Sequence, residues 1–400
     1  MNHDLVPQAE VYSRISRLKK QMHEFGADIA ILRHGPDLYY FTGTLQDGHL
    51  VVPLEGEPVY FVWRSFERAK AESPLSEIVK IKNFSELEKR VKDIFSRYQR
   101  GTLWTTLDAI PYKTVQFYGE RLFPGFEILD CTHFIRTIRA IKSPWEIDKI
   151  RGACRIIDKA MEKVREWLRP GVDELAITAR LECFLRENGH QGQLPMRNSL
   201  VGALPMTQVL TGPHGAIPSF TLTPAGGPGV SPTMGVGAGT RPILEGDPVS
   251  VDIGGFFQGY LGDETRIFSL GPLKSPLSDA FEVCITLTER LERELRPGVR
   301  AGAIYDIALN HMESTPFLKN FMGYSEKVQF VGHGLGVEID EYPFISIGNE
   351  MTLESGMVVA LEPKLVFSGL GIVGIEDTFL ITDLGAERLT LFPRGPILIQ

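Results

Sequence analysis

Acidic residues interrupt a strand-like segment in the second half of the chain. The sequence Val-Ser-Val-Asp-Ile at 249–253 alternates in hydrophobicity, which places Asp252 on the opposite face from the valines. Asp263 follows eleven residues later, and the midpoint of the two aspartates falls between Phe257 and Gln258. A hairpin that turns at this midpoint would set the two carboxylates opposite each other, with Cβ atoms about 5 Å apart.

A second pair of acidic residues has the same arrangement further along the chain. Residues 357–367 and 371–382 are predicted as apolar strands around a glycine-containing turn. Glu362 and Glu376 are equidistant from Gly369 in this turn, so a hairpin would again make them cross-strand neighbours on one face. Both hairpins are thus expected to present paired carboxylates.

Four opposed carboxylates repel one another unless a positive charge compensates them. Two divalent cations would balance the four negative charges, and carboxylate oxygens suit Mn, Mg, Co or Fe, with Zn also compatible. His333 is the expected histidine ligand, because its flanking residues Gly332 and Gly334 let the backbone pass close to a site. Taken alone, this glycine-rich segment would favour a histidine in a simple turn.

A pair of cations has a well-defined chemical use. It lowers the pKa of a bridging water so that hydroxide forms near neutral pH, and it polarises a carbonyl group. These residues therefore predict hydrolysis of an amide or a related C–N bond. A mechanism based on a nucleophilic side chain has little support, because the sequence contains no Gly-X-Ser-X-Gly motif.

The composition is typical of a soluble globular protein. The chain has 400 residues, 42 Lys and Arg against 50 Asp and Glu, and a net charge of −8 at pH 7. No basic stretch resembles a nucleic-acid-binding surface, and no apolar run reaches the ~18 residues that a membrane span needs. The four cysteines form no Cys-X-X-Cys pair, and the first residues do not resemble a signal peptide. We therefore expect a cytoplasmic protein with no nucleic-acid or membrane partner.

The elements that position these residues fall into two predicted domains. The first third of the chain has the pattern of a small α/β unit. Its helices are predicted around residues 11–22 and 84–98, its strands at 29–32 and 128–131, and a hairpin over 50–63. Ser143, Pro144 and Glu146 then form a capping-box pattern, which predicts a long helix that ends near Leu168. The domain boundary is therefore expected near residue 143.

The second domain contains a faint internal repeat. Residues 167–172 (Trp-Leu-Arg-Pro-Gly-Val) recur at 294–299 (Glu-Leu-Arg-Pro-Gly-Val), and each copy lies between two predicted helices. Each half then ends in two strands that hold acidic residues. A duplicated α/β half-domain explains this order of elements, and chance similarity between two helix-stop signals is the alternative.

The order of the acidic and histidine motifs resembles that of the pita-bread metallohydrolases, the family of Xaa-Pro aminopeptidase, prolidase, methionine aminopeptidase and the related metal-free creatinase. Five segments match the family's metal motifs in order: 251–254, 263–266, 332–336, 361–363 and 375–377. The resemblance covers nearly the whole chain and implies an α/β (α+β) fold. Residues 1–140 would form a creatinase-type N-terminal α/β domain. Residues 141–400 would form the pita-bread catalytic domain, with an internal pseudo-twofold duplication.

The resemblance also implies roles for the five matching side chains. Asp252 would chelate one metal ion, His333 and Glu362 would hold the other, and Asp263 and Glu376 would bridge the two. Glu362 would in addition be catalytic and shuttle a proton to and from the bridging water. The implied cofactor is two divalent metal ions (Mn, Co, Fe or Zn). The implied assembly is a homodimer that acts on a small peptide or small-molecule substrate.

Two histidine positions of the family are replaced. Asp340 stands where the family's peptidases carry a histidine that stabilises the tetrahedral intermediate, and a carboxylate cannot donate a hydrogen bond at pH 7. The upstream histidine aligns with either Ser219 or Thr233, and His214 is a neighbouring substitute. Asp340 and His214 are therefore predicted to contact the substrate, and Asp340 would bind a cationic group of that substrate.

Two further departures lie next to the last two acids. Gly374 stands where proline-specific members carry an arginine, and Lys364 replaces the glycine of the usual Glu-Pro-Gly. We predict a dimetal hydrolase of the Xaa-Pro peptidase class that releases the N-terminal residue of a short peptide from proline. The replaced positions leave open a C–N hydrolase of a small non-peptide metabolite, as in creatinase. A binding protein on an inactive scaffold is disfavoured, because an unused cluster of four acids would cost stability.

Overall fold

A computed structural model of the chain describes residues 4–197 and 200–399. The chain divides into two compact units, residues 1–139 and 140–400. Within the described ranges, every helix is either too short or too polar to pass through a lipid bilayer.

The N-terminal unit is built on one mixed sheet. Its strands are β1 (Ile29–Leu32), β2 (Gly48–Pro53), β3 (Val59–Val62), β4 (Glu77–Lys80), β5 (Gly101–Thr105) and β6 (Phe126–Asp130). Its helices are α1 (Gln8–Phe25), α2 (Gly35–Thr42), α3 (Phe66–Glu72), α4 (Phe84–Ile94), α5 (Tyr112–Phe117) and α6 (Thr132–Ala140). The strand order is β4-β3-β2-β1-β5-β6, and β1, β2 and β3 are buried along their whole length.

Most of the elements predicted for this unit are confirmed. α1 buries its predicted apolar face and ends before Gly26, whose φ of 75° is a left-handed conformation that glycine adopts at low cost. The predicted strand at 29–32 is β1, and the predicted hairpin is the antiparallel pair β2–β3. The predicted helix over 84–98 is shorter than expected, because α4 ends at Ile94.

The C-terminal unit contains more strands than helices. Its helices are α7 (Pro144–Trp167), α8 (Glu174–Glu187), α9 (Leu277–Glu294) and α10 (Ala301–Glu313). Its strands are β7 (Leu194–Pro195), β8 (Ala203–Leu204), β9 (Thr207–Thr211), β10 (Val249–Phe257), β11 (Tyr260–Leu270), β12 (Phe330–Gly334), β13 (Glu341–Ser346), β14 (Val358–Leu361), β15 (Lys364–Phe367), β16 (Gly371–Gly374), β17 (Asp377–Thr382), β18 (Gly385–Arg388) and β19 (Ile397–Ile399). The larger sheets have the orders β19-β11-β10-β9 and β13-β12-β14-β17-β18.

The long helix α7 begins as its sequence predicts. The Ser143 side chain accepts a hydrogen bond from the Glu146 backbone N–H, and the Glu146 carboxylate accepts one from the Ser143 N–H. This capping box satisfies two of the N–H groups that a helix start leaves unpaired.

Helix α7 also packs unusually close to the β10–β11 hairpin. Gly255 and Gly262 pair across the two strands at the point of contact. A Cβ at Gly255 would lie 2.8 Å from Ala153 O, and a Cβ at Gly262 would lie 2.8 Å from Cys154 Sγ. Glycine at both positions therefore lets the helix lie against the strands and fixes the hairpin that carries the first pair of aspartates.

Matching backbone contacts confirm the internal duplication. In the first copy Gly171 N donates to Ile243 O at 3.0 Å, and in the second copy Gly298 N donates to Leu353 O at 2.9 Å. Each acceptor residue donates back to the valine that follows the glycine. In both copies the acceptor segment then leads into a strand next to an acidic residue: β10 contains Asp252, and β14 ends one residue before Glu362.

Candidate metal centre

The first acidic hairpin is formed by β10 and β11. The strands close on a two-residue turn, so Asp252 lies opposite Thr265 and Asp263 lies opposite Gly254. The predicted direct pairing of Asp252 with Asp263 is therefore wrong by two residues. Because strand side chains alternate, the two carboxylates still share one face, as diagonal neighbours.

The second acidic pair lies at a break in its strands. β14 ends one residue before Glu362, and β15 begins only after Pro363, which has no N–H to donate to a ladder. Glu376 lies in the matching break between β16 and β17. The single strands predicted over 357–367 and 371–382 are thus wrong. The ladders on both sides of the break nevertheless keep the register in which Glu362 and Glu376 oppose each other.

The two acidic pairs converge with a histidine in one group, the front cluster, which consists of the buried Asp263, His333, Glu362 and Glu376 and the half-buried Asp252. His333 Nε2 lies 3.7 Å from Glu362 Oε1 and 3.8 Å from Glu376 Oε1. Its distance to Asp263 Oδ2 is 3.9 Å. Two donors of one metal ion can lie up to about 4.4 Å apart, since each bond is about 2.0–2.2 Å long. The ligand atoms of Asp263, His333 and Glu376 all lie within 4.8 Å of one another, so these three residues are close enough to share an ion, and Glu362 Oε1 lies beside the His333 nitrogen.

The other ring nitrogen of His333 faces hydrogen-bond acceptors. Nδ1 lies 3.1 Å from Gly334 O and 3.4 Å from Asp340 Oδ1. Two acceptors beside Nδ1 favour the tautomer that carries its proton there, which leaves the Nε2 lone pair directed at the carboxylates. An imidazole held in this way is a suitable ligand for a transition metal ion.

A basic residue that we did not predict as part of the site, Lys364, also enters the front cluster. Its ammonium nitrogen lies 2.9 Å from Glu362 Oε2 and 2.8 Å from Glu376 Oε2. It also lies 3.3 Å from Asp252 Oδ2. Strand alternation is the signal that could have found this contact, because residues two apart on a strand share a face.

The stem of Lys364 packs against Gly374 across the β15–β16 hairpin. The two residues pair in register, and a Cβ at Gly374 would lie 2.6 Å from Lys364 Cγ. The lysine therefore fills the space that a larger residue at 374 would need. The two departures from the family pattern at 364 and 374 are thus a single structural change.

Burial and neighbouring charges shift the pKa values of the two glutamates in opposite directions. Burial raises the pKa of Glu362 to about 7, although Lys364 acts against the increase. Burial would also raise the pKa of Glu376, but Lys364 and His333 outweigh it and lower that pKa to about 2. Glu376 is therefore the carboxylate that the two basic residues keep ionised.

The two aspartates and His333 hold protons more strongly than usual. Burial raises the pKa of both Asp252 and Asp263, and the charge of Glu376 adds to the increase. Burial lowers the pKa of His333, but Asp340 and Glu376 outweigh burial and raise that pKa well above its usual value. A bound divalent cation would replace these protons as the compensating charge.

A second ionic group, the rear cluster, lies on the opposite face of these strands and consists of the fully buried Glu264, Arg266 and Asp377 together with the half-buried Arg394. Arg266 Nη2 lies 2.7 Å from Glu264 Oε1 and 2.7 Å from Asp377 Oδ1. Arg394 Nε lies 2.6 Å from Asp377 Oδ2. Arg266 also donates a 2.7 Å hydrogen bond to the backbone carbonyl of Glu376, so the rear cluster supports a front-cluster residue from behind.

Comparisons with known proteins decide the family. Residues 148–383 match the model of metallopeptidase family M24, and residues 14–141 match that of the creatinase/prolidase N-terminal domain. The chain belongs to metallopeptidase family M24. It is 30% identical over 381 residues to a Xaa-Pro dipeptidase of Pyrococcus furiosus, covering 94% of this chain and 97% of the relative.

Solved structures agree with this M24 assignment. The prolidase from Pyrococcus furiosus gives a TM-score of 0.78 at 29% identity, over 94% of this chain and 100% of that one. The prolidase from Pyrococcus horikoshii OT3 gives a TM-score of 0.79 at 26% identity, over 96% of this chain and 100% of that one. The predicted pita-bread family, its α/β fold with a creatinase-type N-terminal domain, and the predicted enzyme class of metallohydrolase are thereby confirmed.

In this M24 chain the front cluster lines a cavity of about 70 Å³. Lys364 and Asp340 line the same cavity, and Thr221, Leu222 and Thr223 contribute another part of its wall. Sequence reasoning did not identify this threonine-containing segment, which lies outside the helices and strands and shows no hydrophobic periodicity.

His214 has a different position from the one that a substrate contact would require. Its Nδ1 lies 2.8 Å from Glu174 Oε2, and the same carboxylate oxygen accepts a 2.9 Å hydrogen bond from Gly239 N. Glu174 is fully buried on α8, so these two contacts hold both ends of the segment from His214 to Gly239 against that helix. Among the described residues, the structure brings Asp340 to the cavity lining, but not His214, Ser219 or Thr233.

Proposed function

We propose that this chain is a metal-dependent peptidase of the Xaa-Pro class, which releases the N-terminal residue of a short peptide from a following proline. The observation that carries the proposal is the convergence of three carboxylate oxygens on Nε2 of His333 at 3.7–3.9 Å. Relatives named Xaa-Pro dipeptidase and prolidase align over nearly their whole length and support the substrate class.

The side chains on the His333 side of the front cluster would hold the cation. Asp263, His333, Glu362 and Glu376 are all buried and offer oxygen and imidazole donors that suit Mn, Co, Fe or Zn. When bound, a divalent cation lowers the pKa of a coordinated water towards neutrality and polarises the scissile carbonyl group. Asp252 is the remaining carboxylate of the two-ion arrangement predicted from the sequence.

Glu362 would move the proton during hydrolysis. Its Oε1 lies 3.7 Å from His333 Nε2, on the side of the cluster where the cation and its water would bind, so the carboxylate is placed to accept a proton from this water and pass it on. The attacking water gives a proton to Glu362 as the new C–O bond forms. The departing amine receives this proton as the C–N bond breaks, so that water and amide give a carboxylic acid and an amine, which near neutral pH are a carboxylate and an ammonium group.

One observation favours a second candidate, a hydrolase of a small non-peptide amide. Asp340 lines the cavity beside His333, at the position where the family pattern has a histidine. A carboxylate accepts hydrogen bonds and attracts positive charge, so it suits an amidino or ammonium group on the substrate. Such a substrate would be cleaved at a C–N bond by the same residues.

A hydrolase screen on protein purified without chelators tests both candidates. We expect protein loaded with Mn²⁺, Co²⁺, Fe²⁺ or Zn²⁺ to cleave Xaa-Pro dipeptides and Xaa-Pro-Xaa tripeptides. Matched peptides with alanine in place of proline should be poor substrates. Amidino and amide metabolites form the second arm, and cleavage in that arm alone would support the non-peptide hydrolase and refute the peptidase.

Two histidine variants separate a metal-dependent reaction from a contaminating one. His333→Ala removes the nitrogen ligand and should lower kcat/KM by more than ~100-fold, the upper end of what outer ligands contribute. His311→Ala, on α10 and outside the cavity lining, should retain the activity. A loaded protein that binds an ion but cleaves neither substrate class would be an inactive binding homologue. The implied homodimer remains a prediction that light scattering checks.

A further inference from the structure

The two sides of the front cluster face different positive charges. On one side His333 Nε2 faces Glu362 Oε1 and Glu376 Oε1. On the other side the Lys364 ammonium faces Glu362 Oε2 and Glu376 Oε2. Each glutamate therefore presents one oxygen to each side, which is how a carboxylate bridges two cations.

We infer that the ammonium group of Lys364 takes the place of one of the two cations, so that the front cluster binds a single divalent ion on its His333 side. The inference rests on the proposed metal-dependent function and specifies how many ions that function uses. It makes Asp252 a partner of Lys364 instead of a metal ligand.

The hydrogen-bonding capacity of the ammonium group supports this role. A lysine ammonium has three N–H donors, and three carboxylates of the front cluster lie within 3.3 Å of its nitrogen. All three donors are thus used within the cluster. Lys364 has no donor left for a substrate oxygen, so it acts as a fixed positive charge rather than as a group that stabilises the transition state.

A second divalent ion would need the volume that the ammonium group fills. An ion held by Asp252 Oδ2, Glu362 Oε2 and Glu376 Oε2 would lie about 2.0–2.2 Å from each oxygen. The Lys364 nitrogen lies 2.8–3.3 Å from the same three oxygens. Like charges at such separations in a buried site repel strongly, so the ion and the ammonium group exclude each other.

The lysine is also held in place along its whole length. Its backbone carbonyl accepts a 3.0 Å hydrogen bond from Met322 N, and its stem fills the space beside Gly374. The residue is 3% exposed, so a side chain that left the cluster would need another buried partner for its charge. Displacement of Lys364 by an incoming ion is therefore costly.

Counting the bound ions tests this inference on the unmodified full chain. The protein is equilibrated with Mn²⁺, freed of excess ion, and analysed by mass spectrometry for metal content per chain. We expect one Mn²⁺ per chain, with the electron paramagnetic resonance spectrum of an isolated ion. Lys364→Gly opens the second position and should raise the content to two, with the spectrum of an exchange-coupled pair.

Lys327→Met is the matched control, because Lys327 is an exposed lysine whose ammonium contacts only the Leu318 carbonyl among the contacts described. It should leave the content at one ion. Two ions in the unmodified chain would overturn the inference and leave the proposed function intact, whereas no bound ion would overturn both. An unchanged content of one in a folded Lys364→Gly variant would also refute the role of Lys364. If this variant fails to fold, the number of ions bound by the unmodified chain still tests the inference.

Discussion

Two pairs of adjacent acidic residues carry the comparison between the front and rear clusters: Asp263 and Glu264 on β11, and Glu376 and Asp377 near the start of β17. In each pair one side chain belongs to the front cluster and the other to the rear cluster, because successive side chains of a strand point to opposite faces. Glu264 and Asp377 face Arg266 and Arg394 in the rear cluster, where each carboxylate has an oxygen within 2.7 Å of a guanidinium nitrogen. Asp263 and Glu376 belong to the front cluster, where four carboxylates face one ammonium group and one imidazole.

This difference in charge balance separates a structural cluster from one that requires a ligand. In the rear cluster both carboxylates lie beside guanidinium groups of the same chain, so the positive charge that they face comes from side chains and not from a bound ion. The front cluster holds four carboxylates against one ammonium group and one imidazole, so its own side chains leave negative charge without a positive partner. A bound divalent cation is the compensation that the chain itself lacks.

The largest effect is expected when the balance of the rear cluster is broken. Arg266→Met leaves Glu264 and Asp377 without their shared partner, and removing one member of a buried ion pair costs about 3–5 kcal/mol. Urea unfolding followed by circular dichroism measures the change in the free energy of unfolding. The folded variant should still bind Mn²⁺, because Arg266 is no ligand.

Arg388→Met is the matched control for this prediction. Arg388 reaches the same carboxylate of Asp377, but from 4.0 Å and with 28% of its side chain exposed. Partly exposed pairs of this kind contribute about 0–1 kcal/mol. If Arg266→Met destabilises the protein no more than Arg388→Met does, the rear cluster is not the structural unit described above.

A smaller effect is expected from pH on the metal-free protein. The pKa of Glu362 is about 7 in the folded chain and near 4.5 when unfolded, so the folded state binds more protons between these values. The contribution of Glu362 to stability is then fully present below pH 4.5 and is lost as pH rises through 7, by on the order of 3 kcal/mol. Asp252 and Asp263 shift in the same direction.

Urea midpoints of the metal-free protein at pH 5 and pH 8 measure this dependence. Saturating Mn²⁺ should reverse the trend, because ion binding requires deprotonated ligands and so strengthens with pH. Glu362→Gln should weaken the dependence in the metal-free protein. If the metal-free protein is more stable at pH 8 than at pH 5, the carboxylates of the front cluster are already neutralised by basic side chains of the chain itself, and the contrast with the rear cluster is wrong.

The membership of the front cluster could be predicted from the sequence, but the pairing within it could not. Strand alternation and the order of the motifs were sufficient to select the five residues. The register depends on the turn, where Gln258 and Gly259 both have positive φ values of 47° and 89°. A two-residue hairpin turn of this kind is well signalled by Asn-Gly and poorly by Gln-Gly, so the midpoint of the aspartates was a misleading guide.

The position of Lys364 was missed for a different reason. Its ammonium group reaches the front cluster because Gly374, ten residues away in sequence, leaves space for its stem. Each of these residues alone is only a departure from the family pattern. Strand alternation predicts that Lys364 shares a face with Glu362, but the space for its stem depends on a residue of the neighbouring strand, which periodicity along one strand does not show.

The smallest of the expected effects concerns the acid behind the imidazole. Asp340 Oδ1 lies 3.4 Å from His333 Nδ1, so Asp340→Asn removes the charge that orients this ligand. Loss of such an outer partner typically weakens metal affinity about 10–100-fold. Asparagine tolerates the left-handed backbone at this position, where φ is 62°, so the variant introduces little strain.

Titration with Mn²⁺ and steady-state kinetics on one substrate distinguish two roles for Asp340. If it orients His333, the Kd for Mn²⁺ rises and activity recovers at saturating ion. If it binds a cationic group of the substrate, KM rises while the Kd for Mn²⁺ is unchanged. Asp306→Asn, at an exposed position on α10, is the control and should change neither quantity. An unchanged Kd and an unchanged KM in Asp340→Asn would exclude both roles, and would restrict the front cluster to its five members and Lys364.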